Sequence, residues 1–171
     1  MTKFCRKINP TCKTSWVSVK PTSNAVPNQC YYNVRDYICE HGGAIVFGWA
    51  IWEAPDYYIE AEHHAILKTN TQYIDLTPKQ DDESRILFLH DPRRSFRFKK
   101  PQWRVNIRKS ISTDTNVEVW LKAQTKLDRF LLKNTRPDGR HRKTEIKHNQ
   151  LGCYHLLKVE ADAALLKLSI C

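Results

Sequence analysis

The sequence predicts an α+β fold, in which a small antiparallel sheet follows an N-terminal helix that carries a cysteine, and the C-terminal part is helical. Three observations predict it. A helix-periodic segment between Pro27 and Gly43 leads into strand-like runs punctuated by turn residues, and two long stretches near the end carry apolar residues at helical spacing. With 171 residues, 41% of them hydrophobic, the chain has the size and the apolar content of one packed domain. The expected organisation is a single domain over 1–171, made of an irregular leader (1–27), a core (28–92) and a basic, largely helical part (93–171).

The leader carries Pro10, Pro21 and Pro27 among many Ser, Thr and Asn residues. That composition favours irregular chain, with one short strand at Ser15–Val19. Asn28 is a suitable helix N-cap, which places Cys30 in the first helical turn. Cys30, Val34, Tyr37 and Ile38 recur at helical spacing, and Gly42-Gly43 ends the helix. The continuous apolar run Ala44 to Trp52 reads as a central strand covered on both faces, with Gly48 allowing a neighbouring backbone to approach closely. Tyr57 to Lys68 and Gln72 to Thr77 are two further strands joined at Asn70-Thr71.

That turn fixes a testable register. If Asn70 and Thr71 are its two turn residues, Ile66 lies opposite Asp75 and His64 opposite Thr77. His64 and Asp75 are then diagonal neighbours on one face. His63 falls on the other face with Ala61, Ala65, Leu67, Ile74 and Leu76, an apolar set suited to the core. A three-residue turn would exchange the roles of the two histidines.

Arg85 to His90 is a fourth strand. Arg93 to Arg104 then interleaves aromatic residues with basic ones, a pattern that suits single-stranded nucleic acid and equally suits an edge strand with one buried face. Thr113 or Asp114 caps a helix from about Val117 to Lys133, with an apolar stripe of Trp120, Leu121, Leu127, Phe130 and Leu131. Asn134 to Lys143 reads as a basic solvated loop. A last helix from about Gln150 to Leu168 has an apolar face that includes Leu151, Tyr154, Leu157, Ala161, Leu165 and Leu168.

Composition narrows the function classes. No apolar run reaches the ~18 residues needed to span a bilayer, and the start lacks a segment of signal-peptide type, so no membrane association and a cytoplasmic location are expected. Six cysteines without an export signal argue against a disulfide framework, and the absence of a Cys-x-x-Cys pair argues against a metal site. No cofactor is expected. The net charge of +10, concentrated after Arg93, invites nucleic acid or an acidic protein as a partner.

Gln29-Cys30-Tyr31-Tyr32-Asn33, Glu62-His63-His64-Ala65 and Tyr73-Ile74-Asp75-Leu76-Thr77-Pro78 together supply a thiol, a base and a carboxylate, the minimum for covalent acyl chemistry. A thiol at a helix start is favoured as thiolate by the unpaired amides and the macrodipole. The order Cys, His, Asp is that of papain-like thiol enzymes. More specifically, His64-Ala65 followed by Tyr73 to Pro78 resembles the transglutaminase-like pattern, in which a His-Ala strand leads into an aromatic-containing strand ending in Asp. The resemblance covers about 24–78, with Tyr31 standing where the family usually has Trp. It implies Cys30 as nucleophile, His64 as base, Asp75 as orienting carboxylate, and an amide or ester of a protein or peptide as substrate. Gln29 or Asn24 would help the Cys30 amide with the oxyanion, Asn24 standing upstream where papain-like enzymes often place an amide side chain. Glu60 and Glu62, on the His64 face, are alternative orienting groups.

Two function classes therefore stand side by side. One is a thiol-dependent acyl-transfer enzyme, for which water as acceptor gives a protease, amidase or deamidase and an amine gives a transglutaminase. The other is a basic nucleic-acid-binding protein whose phosphate track is Arg93, Arg94, Arg97, Lys99, Lys100 and Arg104, continuing to Arg108.

Overall fold

A computed structural model describes residues 1–11 and 13–168. Cys12 and Cys171, two of the six cysteines, lie outside the described residues. The chain forms α1 (Thr2–Ile8), β1 (Thr14–Val19), α2 (Cys30–His41), β2 (Ala44–Ala54), β3 (Tyr58–Lys68), β4 (Tyr73–Asp75), β5 (Arg85–His90) and β6 (Ile107–Ser110). α3 (Thr115–Lys133), β7 (Thr135–Asp138), β8 (His141–Thr144), one 3-10 turn (His148–Gln150) and α4 (Leu151–Leu166) follow. It divides into two compact units: Met1–Trp52 with Ala61–Gln102, and Glu53–Glu60 with the chain from Trp103 onward.

The mixed α+β class is as expected, but the sheet of the first unit is not a small antiparallel one. Its strands run in the order β2-β5-β1-β4-β3, and β3 pairs again with β2, so the sheet closes into a five-stranded barrel. The closing strand is β1, which matches the short strand expected at Ser15–Val19, while the rest of the leader, expected to be irregular, also carries the helix α1. β1 pairs antiparallel with β5, Trp16 facing Leu87 and Val17 facing Ile86. On its other edge it pairs with β4 in parallel, Val19 facing Asp75. Closure leaves no strand edge within the ring open to further pairing. Val17, Ala50, Ile66, Ile86 and Phe88 pack together as its core, flanked by Val46 and Trp52.

Gly48 behaves as its place in an apolar strand suggested. A Cβ there would run into the Leu89 carbonyl oxygen and the Phe88 ring, so β2 and β5 approach as closely as they do only because the side chain is missing. The end of α2 is also as expected, with Gly42 at φ 77° and Gly43 at φ 108°. Its start differs. Asn28 is not the cap but sits in a turn at φ 62°, Gln29 holds the N-cap position, and Cys30 is the first helical residue.

Within the second unit Asp114 caps α3, its carboxylate accepting from the Asn116 amide at 2.8 Å. Pairings of Lys126 with Glu160 and of Phe130 with Tyr154 show that α3 and α4 run antiparallel. Ala123, Leu127, Ala161 and Ala164 fill their interface. Leu165, expected on that buried face, is exposed. The basic loop is a hairpin: β7 and β8 pair from Thr135 with Thr144 to Asp138 with His141, around Gly139 at φ 58°.

Candidate active site

The geometry begins with the β3–β4 hairpin. Leu67 faces Ile74 and Lys68 faces Tyr73, while the Thr69 amide donates to the Gln72 carbonyl at 2.9 Å. Asn70 and Thr71 are thus the two turn residues. The Thr69 hydroxyl secures the turn by accepting from the amides of Thr71 and Gln72 at 3.3 and 3.1 Å. This register brings His64 diagonally to Asp75, with His64 Nε2 2.9 Å from Asp75 Oδ2.

Asp75 is fully buried and both of its oxygens are engaged. Oδ1 accepts from the Thr77 amide at 2.9 Å, and Oδ2 accepts from His64 and from Lys79 Nζ, the latter at 2.7 Å. This Asx-type turn stops β4 at Asp75, short of the Thr77 that strand patterning suggested. Burial alone would raise the Asp75 pKa, but His64 and then Lys79 outweigh it and hold the carboxyl well below its ordinary range.

Cys30 reaches the same imidazole from the start of α2. It is buried, and its side chain hydrogen-bonds and interacts electrostatically with His64. With Nε2 committed to Asp75, the ring nitrogen left for the thiol is Nδ1. Burial alone would lower the His64 pKa; its electrostatic interactions and hydrogen bonds with Cys30 and with Asp75 reverse that and carry it to about 10. Cys30 opens α2, at the end of the helix that favours negative charge, while the Tyr32 and Asn33 amides are taken by the Gln29 carbonyl at 3.0 and 2.9 Å.

The two histidines have separate environments. His63 Nε2 donates to the Arg94 carbonyl at 2.6 Å, and Nδ1 lies 2.7 Å from the Tyr31 hydroxyl. Its ring stacks on Phe47 and meets Trp49 edge-on. Both faces of β3 are covered, because Ile66, on the His64 face, belongs to the barrel core.

Other sequence-derived candidates fall as follows. Gln29 is buried beside Cys30, whereas Asn24 is exposed in the preceding turn. Glu62 is half-buried and is not among the groups acting on His64. Glu60 is engaged by Arg108 and by Asn106 Nδ2 in the second unit. The segment from Arg93 to Lys100 is irregular rather than an edge strand. Phe96 stacks on Tyr31 with ring centroids 3.9 Å apart, Phe98 meets Tyr32 edge-on, and Arg35 lies over Tyr32 and Phe98. Those rings are occupied by α2 and do not present free faces to nucleobases. Arg93 pairs with Asp91, and Arg94 Nε lies 3.9 Å from Asp91. Arg97, Lys99 and Lys100 are exposed, and Arg104 is half-buried in the second unit.

Three residues at the site escaped the sequence reading. Lys79 carried no signal, since a lysine after Pro78 is ordinary surface composition. Thr77 was legible as the amide donor of an Asx turn, two residues after an Asp. Asn33 was legible as a poor helix former inside a helix. Its Oδ1 accepts from the Val26 amide at 3.0 Å and its Nδ2 donates to the Val26 carbonyl at 2.9 Å. Nδ2 also reaches Thr77 Oγ1 at 3.4 Å. One side chain on α2 thus ties the loop before Cys30 to the chain after Asp75.

Among the described residues no group of three or more His, Cys, Asp or Glu side chains could hold a metal ion, and Cys5, Cys30, Cys39 and Cys153 are free thiols. No described helix is long and apolar enough to cross a membrane. Comparison of the chain with protein families, with curated proteins and with solved structures finds no match in any of the three.

Proposed function

We propose that the protein is a thiol-dependent acyl-transfer enzyme of papain-like or transglutaminase-like type, acting on an amide or ester of a protein or peptide. The observation that carries this reading is the line Cys30, His64, Asp75, in which one buried imidazole meets a helix-start thiol and a buried carboxylate on its two sides. Cys30 as thiolate attacks the carbonyl carbon, the carbonyl electron pair moves to oxygen, and the Cys30 amide faces the oxyanion with Gln29 beside it. The imidazolium of His64 gives its proton to the departing amine or alcohol as the carbon–heteroatom bond breaks, leaving a thioester on Cys30. Water or an amine, deprotonated by His64, then releases the acyl group. Asp75 holds the ring through Nε2 and stabilises its charge.

The test is alkylation of Cys30 by iodoacetamide as a function of pH, followed peptide by peptide by mass spectrometry in the wild type and in His64→Ala. The expected result is reaction that persists well below the free-thiol pKa of about 8.5 and that His64→Ala abolishes or moves upward. A Cys30 that stays unreactive, or reacts identically in the variant, sinks the proposal.

A further inference from the structure

We propose that a cavity of the second unit binds the oxyanion head, a carboxylate or a phosphate monoester, of a small organic molecule. The cavity lies between the segment entering β6, the end of α3 and the β7–β8 hairpin, and it encloses about 290 Å³, at the small end of ligand pockets. Arg104, Arg108 and Arg142 all line it. Three guanidinium groups meeting at one space need anions, and the protein supplies them for only one.

Arg108 is held by Glu60 and by Asp128. Asp128 is the single carboxylate on the cavity wall, and both its oxygens are taken, Oδ2 by Arg108 at 2.5 Å and Oδ1 by Gln124 Nε2 at 2.8 Å. Arg142 lies over the Trp103 ring, 5.6 Å from its centroid, a contact that orients the guanidinium without neutralising it. Arg104 is the orphan. Its Nε is enclosed and has no hydrogen-bond partner, and among the described residues no carboxylate pairs with it. An enclosed cationic donor without an acceptor is costly, so the arrangement is complete only when an acceptor comes from outside the chain.

An oxyanion fits by shape as well as by charge, because the planar guanidinium presents a fork of parallel N–H donors that matches two oxygens of a carboxylate or phosphate. Val105, Leu131 and Leu132 make up the apolar part of the wall. They favour an anion that carries a small carbon body over a bare inorganic ion. The proposal does not depend on the chemistry at Cys30.

The test follows arginine Nε–H signals in 15N–1H spectra of the full chain while phenyl phosphate, benzoate or sodium chloride is added. The Arg104 signal is identified by its loss in Arg104→Gln. The expected result is a saturable shift with phenyl phosphate or benzoate at a dissociation constant of about 1 mM or tighter, and none with chloride. Which of the two saturates tells a phosphate source from a carboxylate one. Arg104→Gln should weaken binding about tenfold or more, and Arg104→Lys, which keeps the charge but not the fork, should fall between. A shift that never saturates and that chloride reproduces, an adventitious ion only, overturns the proposal, as does undiminished binding in Arg104→Gln. Should that variant fail to fold, the wild-type titration and Arg104→Lys decide between the same outcomes.

Discussion

Asp75→Asn keeps the shape of the side chain and removes its charge, and the structure says what that does to each neighbour. His64 loses a charge-assisted hydrogen bond at 2.9 Å, worth about 1.5–3 kcal/mol, so its pKa should fall by roughly 1 to 2 units. If Cys30 reacts through the proposed pairing with the His64 imidazolium, its alkylation at about pH 9, where the lowered His64 now loses its proton, should slow by about twofold to tenfold. Lys79, largely buried at 2.7 Å from the same carboxylate, loses a gross attraction of about 6 kcal/mol at an effective dielectric near 20. Much of that is offset by desolvation in the native pair, yet stranding the ammonium should still destabilise the fold by about 3–5 kcal/mol. The double variant Asp75→Asn/Lys79→Met separates the two effects. Urea denaturation should show most of the lost stability restored, while alkylation stays slow. If reactivity returns together with stability, Asp75 merely anchors Lys79, and its assignment to the imidazole is refuted.

Three other outcomes are expected. His64, held near 10 in the fold against 6.5 unfolded, contributes stability that is complete below pH 6.5 and disappears as pH rises through about 10; a loss on the order of 4 kcal/mol should be seen by urea denaturation, and a flat profile over that range contradicts it. Asn33→Ala deletes three hydrogen bonds around Val26 and Thr77 and should cost about 1–3 kcal/mol. It should also slow alkylation of Cys30, whereas unchanged reactivity would show that the loop before Cys30 needs no such tie. Gly48→Ala should destabilise by about 3 kcal/mol, because backbone oxygen of Leu89 cannot move aside for a Cβ; a melting temperature equal to wild type would mean β2 and β5 can separate without penalty.

Local chemistry was readable where it was set by short-range rules. The turn at Asn70-Thr71 determines the pairing of Leu67 with Ile74, and pairing of period two then leaves His64 and Asp75 no choice of face. The glycine stop after α2 and the cap at Asp114 are equally local. What could not be read depends on distant partners. The strand β1 was legible at Ser15–Val19, but its place between β4 and β5, which closes the ring, was not. Lys79 is a buried ion only because Asp75 and the Trp52 ring lie within reach. The β7–β8 hairpin was hidden by its basic composition, although Pro137-Asp138-Gly139 carries the turn residues that make it.

The parallel pairing of β1 with β4 sets an order of events during synthesis. Val19 leaves the ribosome well before Asp75, and Thr14 before its partner Leu89, so the ring stays open until β5 has emerged. Contacts between such distant segments form late and slowly. On the β1 side of Asp75 the partner is already made when β4 emerges, and there the Lys20 amide donates to the Asp75 carbonyl at 2.8 Å. A chain arrested before Arg85 would therefore hold Cys30, His64 and Asp75 but lack the strand that closes the ring around them.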